Sequence, residues 1–159
     1  MYIPFKKISN KSRAWIYILS EEISEKNKNK LNDYLKSVCE DWQSHGSIIK
    51  SSFLMSKNRF ILLFAEENTV SGCSIDASFS KLRKILNHLE IGLDSNSKIG
   101  IFKKEKMYFF DRIGIIKSIK NKTLERKDLM INTTVKNKEE YMNNWIIKIE
   151  DSWLNPLIK

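Results

Sequence analysis

The stretch that decides the fold is SIDASFSKLRKILNHLE, residues 74–90, which has the clearest helical pattern in the chain. Its large apolar side chains recur four, three, four and three positions apart, at Ile75, Phe79, Leu82, Leu86 and Leu89. This spacing places them on one face of an amphipathic helix, and such a face packs against another layer. We therefore predict a helix that starts between Ser74 and Asp76 and is ended by Gly92.

Upstream of this helix, the sequence predicts three strands and another helix. Residues 13–19 alternate and are rich in β-branched and aromatic types, and residues 47–55 and 59–65 are typical of a hairpin. The second arm of the hairpin is apolar on both faces, as expected of a central strand. The first helix follows Ser24, is ended by Gly46, and has an apolar stripe of Leu31, Leu35, Val38 and Trp42.

Downstream, residues 98–103 and 106–110 resemble two further strands, which completes a βαββαβ order. This order predicts an α+β protein with a ferredoxin-like antiparallel sheet and two helices on one face. We expect that domain to span residues 1–110, with a small C-terminal extension, residues 111–159, packed on it. Within the extension, residues 141–153 fit either a helix or a strand.

Composition narrows the class of protein. The net charge of +9 suggests a protein that binds nucleic acid. However, Lys, Asn and Ile, which A/T-rich codons encode, make up more than a third of the chain, so codon composition can account for part of the charge. Five of the 28 basic residues are Arg, and residues 57–64 lack the glycine and spaced aromatics of an RRM motif.

Apolar runs are too short for a bilayer and the start has no signal-peptide pattern, so we expect a cytoplasmic protein without membrane contact.

The cysteines and histidines predict neither a metal site nor a disulfide framework. Cys39 and Cys73 form no CxxC pair, and His45 and His88 are the two imidazoles. Zinc sites with recognisable spacing need closer clusters of these residues. We expect reduced thiols, no metal and no cofactor.

The turn Ser71-Gly72-Cys73-Ser74-Ile75-Asp76, called here the SGCSID turn, carries the candidate chemistry. A helix N-terminus can lower the pKa of a thiol, so Cys73 could act as a nucleophile with His45 as base and Asp76 as orienting residue. An ordinary cap beside a buried cysteine, or an anion held by the helix N–H groups, explains the same residues. If the two helices of the ferredoxin-like fold run antiparallel, we expect the first to end and the second to begin at opposite ends of the layer, which would separate His45 from Cys73.

A second group of residues is a candidate for binding a ligand. Arg59, beside the hairpin turn, could hold a carboxylate or phosphate. The group comprises Trp42, Asn58, Arg59, Ser71, Gly72 and Ser74, with Gly72 expected to permit a tight backbone turn. Tyr108 to Phe110 among lysines imitates a surface that stacks single-stranded bases, although core packing explains the pattern too.

The sequence resembles a family of short, uncharacterised Bacteroidota proteins that often carry the label "ABC transporter ATPase". The shared elements are Ser12-Arg13-Ala14-Trp15-Ile16-Tyr17, Trp42 with His45-Gly46, Asn58-Arg59-Phe60, the SGCSID turn, Asn132 to Lys138, and Trp145 with Ser152-Trp153. The resemblance implies no established activity. Its label conflicts with the chain, which is short and lacks the Gly-x-x-x-x-Gly-Lys-Ser/Thr phosphate loop. Relatives carry a proline near Lys148, which favours extended structure there. They carry Arg where this chain has Lys98, and the lysine weakens the case for bidentate anion binding at that position.

These observations together favour a cytoplasmic binding or adaptor domain with its surface near the SGCSID turn. A small anionic ligand or a protein is the expected partner. The alternatives are a cysteine-dependent enzyme of acyl or thiol transfer that uses Cys73, and a nucleic-acid-binding protein.

Overall fold

A computed structural model describes residues 1–66 and 70–159, and it confirms the α+β class. The helices described in these ranges are α1 (Glu25–Glu40), α2 (Gly72–His88), α3 (Arg112–Lys120) and α4 (Lys138–Asn144). The strands are β1 (Arg13–Ile18), β2 (Gln43–Ser44), β3 (Ser47–Ile48), β4 (Ser51–Ser56), β5 (Phe60–Ala65), β6 (Ile99–Lys103), β7 (Lys106–Phe110), β8 (Leu129–Ile131) and β9 (Ile146–Lys148). None of the helices in the described ranges is long and apolar enough to cross a membrane.

The chain divides into two compact units, and the first comprises residues 1–94 and 136–139. Its main sheet is antiparallel with the order β1-β5-β4, so β5 is central, as its apolar pattern predicted, and all six of its residues are buried. Leu31 and Leu35 of α1 and Leu82 and Leu86 of α2 are buried in the same core as alternate residues of β5. Both helices therefore cover one face of this sheet.

The second unit comprises residues 95–135 and 140–159 and has its own sheet. The sheet is antiparallel with the order β7-β6-β8-β9. Ile115 of α3 is fully buried in one cluster with Ile101 of β6 and Met130 of β8. This unit therefore has a hydrophobic core separate from that of the first unit.

The ferredoxin-like arrangement of one sheet is not confirmed, because the strands described are split between sheets. β6 and β7 do not join β1, β4 and β5; β6 pairs instead with β8 through Ile101 and Met130. The C-terminal region supplies the partners for β6 and β7, including β9 at Ile146–Lys148, where the resemblance favoured extended structure. Residues 141–153 thus contain both predicted structures, the end of α4 followed by a strand.

The end of the first helix differs from the prediction. α1 ends at Glu40, with Asp41 as its C-cap, rather than at Gly46. Residues 43–48 form the β2–β3 hairpin, in which His45 (φ 50°) and Gly46 (φ 76°) are the two loop residues. Two positive φ angles in a two-residue loop are the geometry of a type I′ turn, which matches the twist of paired strands. The glycine therefore serves a hairpin and not a helix cap.

Candidate functional site

The SGCSID turn forms the first turn of α2. Ser71 is the N-cap, and its Oγ accepts a hydrogen bond from the backbone N–H of Ser74 at 3.2 Å. The helix begins at Gly72, earlier than predicted, and ends at His88 rather than near Gly92. Gly72 does not have a positive φ, and a Cβ added to it would meet no atom within 4 Å. The prediction of a tight turn at Gly72 is therefore wrong, because this residue is the first residue of the helix.

Trp42 connects the segment after α1 to the start of α2 through hydrogen bonds. The Trp42 side chain is 3% exposed, and its Nε1–H lies 2.7 Å from Ser74 Oγ and 3.2 Å from the Ser74 carbonyl oxygen. Ser74 Oγ in turn donates to the carbonyl oxygen of Gln43 at 2.7 Å. Every polar atom of this contact has a partner, as a buried polar network requires.

A second contact ties the β2–β3 hairpin to the same turn. The Ser71 N–H donates to Ser44 Oγ at 3.1 Å, and Ser44 Oγ donates to Ser71 Oγ, also at 3.1 Å. We call Trp42 to Ser44 together with Ser71 to Ser74 the serine–tryptophan junction. Its polar groups bind one another, so their first role is to hold the two segments together.

The junction overturns the expectation that α1 ends and α2 begins at opposite ends of the layer. Hydrogen bonds join residue 42 to residue 74 and residue 44 to residue 71, so both helix ends lie at the same end. The reason is the number of intervening strands. β4 leads away from the end of α1 and the antiparallel β5 leads back, so α2 starts where α1 stopped.

The proposed catalytic residues share this end of the unit, but they do not form a hydrogen-bonded set. Cys73, His45 and Asp76 are all exposed. Within residues 1–66 and 70–159, no hydrogen bond joins the Cys73 sulfur to either of the other two side chains. Ser74, immediately after Cys73, is buried, so the turn presents its serine inward and its cysteine to solvent.

Asp76 acts instead on a tyrosine of the neighbouring strand. Burial of Tyr17, and to a lesser degree the negative charge of Asp76, raises the pKa of Tyr17 to about 12. The Tyr17 ring also stacks on Phe79, with ring centroids 5.2 Å apart and planes 8° apart. The negative charge of Asp76 therefore opposes ionisation of Tyr17, although the carboxylate itself is exposed.

Asn58 and Arg59 lie at the other end of β5. The Arg59 Nε–H donates to the carbonyl oxygen of Leu19 at 2.9 Å, and the Leu19 N–H donates to the Arg59 carbonyl oxygen at 2.7 Å. The Asn58 carbonyl oxygen accepts from the Ile23 N–H at 3.0 Å. The six residues of β5 span about 17 Å, so these two residues do not share a site with the SGCSID turn.

A cleft opens beside the junction, between the end of α1 and the first turns of α2. Its volume is about 370 Å³, and it is lined by Val38, Asp41, Trp42, Gln43, Ala77, Ser78 and Lys81. The Lys81 Nζ and an Asp41 carboxylate oxygen are 3.9 Å apart, and both side chains are more than half exposed. Sequence reasoning identified Trp42 but missed Asp41 and Lys81. The four-residue spacing of Ala77 and Lys81 puts them on one helix face, but this spacing does not indicate that Asp41 lies beside them.

The cysteines and histidines are the remaining residues whose side chains bear on metal binding or nucleophilic chemistry. In the part of the chain that the structure describes, no group of three or more His, Cys, Asp or Glu side chains is placed to hold a metal ion. Cys39 is fully buried, and its burial raises the pKa of its thiol to about 12. A thiol held neutral in this way is a poor ligand and a poor nucleophile.

Comparisons of this chain with protein-family models, with curated proteins and with solved structures found no match. The resemblance to the Bacteroidota family therefore stays a prediction. Function has to be inferred from the geometry of the residues themselves.

Proposed function

We propose that this protein is a non-catalytic cytoplasmic binding or adaptor domain, and that its ligand occupies the cleft beside the serine–tryptophan junction. The observation that carries the proposal is the cleft of about 370 Å³, bounded by Trp42 and by one face of α2. Ligand pockets have volumes of roughly this size or larger and contain a few well-placed polar groups. Trp42, one of the residues behind the family resemblance, lines this cleft, and Ser74 of the SGCSID turn holds it in place, which supports the same assignment.

The junction makes the wall of the cleft rigid. Trp42 is held by its hydrogen bonds to Ser74, and its ring also contacts that of Trp15 at a centroid distance of 5.6 Å. A side chain fixed on both sides loses little conformational freedom when a ligand binds. Pre-organisation of this kind is characteristic of binding sites.

The charges at the cleft suggest the class of ligand. The ammonium group of Lys81 suits a carboxylate, and the carboxylate of Asp41 suits an ammonium group. Their mutual ion pair is exposed and therefore weak, so a ligand can replace it at little cost. We expect a small molecule that carries both an ammonium and a carboxylate group, such as a free amino acid or the end of a peptide.

Titration followed by backbone NMR tests this proposal. Glycine, L-glutamate and L-lysine would be added to ¹⁵N-labelled protein, with acetate and methylamine as probes that carry one charge each. We expect shift changes in the lining residues 38–43 and 77–81 with the amino acids, and weaker changes with the single-charge probes. Changes spread over other surfaces, or none at millimolar concentration, would refute this ligand class.

A pair of variants on α2 provides the matched control. Ala77 is exposed and lines the cleft, so Ala77→Trp should fill the cleft and abolish the shift changes. Asn87 is exposed on the same helix, roughly 15 Å further along its axis, so Asn87→Trp should leave binding intact. Equal binding by both variants would remove the cleft as the site.

The rival hypothesis of a cysteine-dependent enzyme has less support. The Cys73 sulfur is accessible, but no hydrogen bond within the described residues links it to His45 or Asp76. General-base activation of a thiol requires such a contact, either directly or through one water molecule. The binding proposal needs no such contact.

A further inference from the structure

The positive charge of the chain is concentrated in one segment of the second unit. Residues 98–127 contain ten basic and three acidic residues, a net charge of +7, so the other 129 residues carry only +2. A/T-rich codons can raise the lysine content of a chain but do not by themselves gather the charge into one segment. In residues 98–127, all of which the structure describes, one basic side chain forms an ion pair, that of Lys103 with Asp128 at 3.1 Å.

An exposed tyrosine lies within this charged segment. Tyr108 is on β7, an edge strand, and its side chain is 48% exposed. Within the described residues its ring stacks on no other aromatic ring, and its hydroxyl forms no hydrogen bond. Core packing is the competing explanation of the Tyr108 to Phe110 pattern. It applies to Phe110, which packs on the core of the second unit, but it does not apply to Tyr108.

Lysines flank the tyrosine on the same face of the sheet. Side chains two positions apart on a strand share a face, and so do directly paired residues on neighbouring strands. Lys106 is two positions before Tyr108, and Lys103 is paired with Lys106. The β6–β7 turn adds the exposed Lys104. An uncovered ring thus lies beside several cations.

Helix α3 extends the positive surface. Tyr108 is paired with Ile101, so both side chains lie on the face of the sheet against which Ile115 of α3 packs. The outer face of α3 carries three exposed basic residues, Arg112, Lys117 and Lys120. Tyr108 and these cations are therefore on the same side of the sheet.

We propose that this surface, formed by Tyr108, Lys104 and Lys106 with the outer face of α3, binds single-stranded nucleic acid. The Tyr108 ring would stack on a base, and the lysines and Arg112 would contact phosphates. An uncovered aromatic side chain within a positive surface is the combination used to bind single strands without sequence preference. The proposal does not depend on the cleft of the first unit.

An anionic membrane fits the same surface less well. Helices that bind membrane surfaces expose a broad apolar face, whereas the apolar face of α3 is directed into the core through the fully buried Ile115. Ile113 is the large apolar side chain that remains exposed on this helix. Anionic vesicles therefore serve as the competing probe in the test.

Fluorescence anisotropy with labelled oligo(dT) and oligo(rU) of about 20 nucleotides tests the proposal, since several nucleotides are needed to cover such a site. At about 50 mM salt we expect micromolar binding that falls steeply by about 200 mM. Replacing Lys106, Lys117 and Lys120 by Ala should reduce the slope of log K against log salt by about 2, because each phosphate contact contributes about 0.7 for single strands. The control replaces Lys26, Lys30 and Lys84, three exposed lysines of the first unit, and should keep the parent slope.

The tyrosine is tested separately from the charges. Tyr108→Ala should weaken binding about tenfold, whereas Tyr108→Trp should preserve it, because stacking requires a ring and not a hydroxyl group. Tyr34→Ala, at a comparably exposed tyrosine of the first unit, should have no effect. No binding at low salt, equal loss with both lysine sets, an unaffected Tyr108→Ala variant, or binding to phosphatidylserine vesicles without binding to oligonucleotides would each overturn the proposal.

Discussion

The two sides of the SGCSID turn differ in what their side chains contact. On the inner side, Ser71 and Ser74 form hydrogen bonds with the segment that contains Trp42 and Ser44. On the outer side, Cys73 is exposed and has no partner among the described residues. Cys73, the residue that most suggests catalysis, is therefore on the side of the turn that forms no hydrogen bonds among the described residues, and the serines that suggest an ordinary cap hold the fold together.

This difference shows that a short motif can be specific for a structural reason. A serine at the N-cap whose hydroxyl accepts the backbone N–H three positions later is common at the start of helices. Here Ser74 also meets an indole N–H from a residue 32 positions away. The motif is thus a long-range contact as well as a local cap, and its chemical reactivity is a separate question.

The largest effect is expected from removing the indole N–H of the junction. Trp42→Phe keeps an aromatic side chain but removes the indole donor to Ser74 Oγ and to the Ser74 carbonyl oxygen, and it leaves space where the larger ring was. We expect the free energy of unfolding to fall by about 2–3 kcal/mol, measured by urea denaturation. Trp153→Phe, at a tryptophan that is 44% exposed, should change it by less than about 0.5 kcal/mol. Similar values for both variants would mean that the junction does not stabilise the protein.

Loss of the serine hydroxyl should have the next largest effect. Ser74→Ala removes the nearer acceptor of the Trp42 N–H and the donor to the Gln43 carbonyl oxygen, both at 2.7 Å. The expected loss is about 1–2 kcal/mol in the same denaturation experiment. Ser80→Ala, at an exposed position of the same helix, should be neutral or slightly stabilising, because alanine favours helix more than serine does. A neutral Ser74→Ala variant would indicate that the hydrogen bonds of the inner side are replaceable.

Sequence patterns identified the parts of this region that depend on local periodicity. The helix of residues 72–88 and the central position of β5 follow from apolar spacing alone. The hairpin at residues 43–48 was missed because its strands have two residues each and its loop is His-Gly instead of the usual Asn-Gly. The split into two sheets was missed for a related reason, since β8 and β9 are three residues long and a short strand has little pattern to read.

The site was harder to predict than the fold, because its contacts join distant parts of the chain. Trp42 was assigned to the apolar stripe of α1, although it lies beyond the end of that helix and acts as a hydrogen-bond donor. Asp41 and Lys81 lie close together only because the end of α1 and the start of α2 are at the same end of the first unit. Residue types indicated where chemistry could occur, and only the tertiary structure indicated which polar groups were already occupied.

A smaller, pH-dependent effect is expected from the burial of Tyr17, with a lesser contribution from the negative charge of Asp76. The folded state holds the Tyr17 hydroxyl neutral, because its pKa is about 12 compared with about 10 in the unfolded chain. This contribution is fully present below pH 10 and is lost as the pH rises from 10 to about 12, because the unfolded state releases its proton first. The free energy of unfolding should therefore fall by about 1 kcal/mol near pH 11, and Tyr17→Phe should remove that part of the fall. Tyr34→Phe, at an exposed tyrosine, should retain it; equal profiles for the two variants would contradict the assignment to Tyr17.

The smallest effect on stability, and the clearest contrast in reactivity, is expected at the two cysteines. Iodoacetamide should modify the exposed Cys73 in the folded protein, whereas the buried Cys39 should react only after unfolding. Cys73→Ala should change the free energy of unfolding by less than about 0.5 kcal/mol, since the sulfur is exposed and has no hydrogen-bond partner among the described residues. Mass spectrometry of the alkylated protein measures both sites at once.

Because neither His45 nor Asp76 is hydrogen-bonded to the Cys73 sulfur, alanine at either position should alter the rate of Cys73 alkylation by less than about twofold. A tenfold fall in either variant would show that the outer side of the turn does contain an activated thiol, and the enzyme hypothesis would then replace the binding proposal.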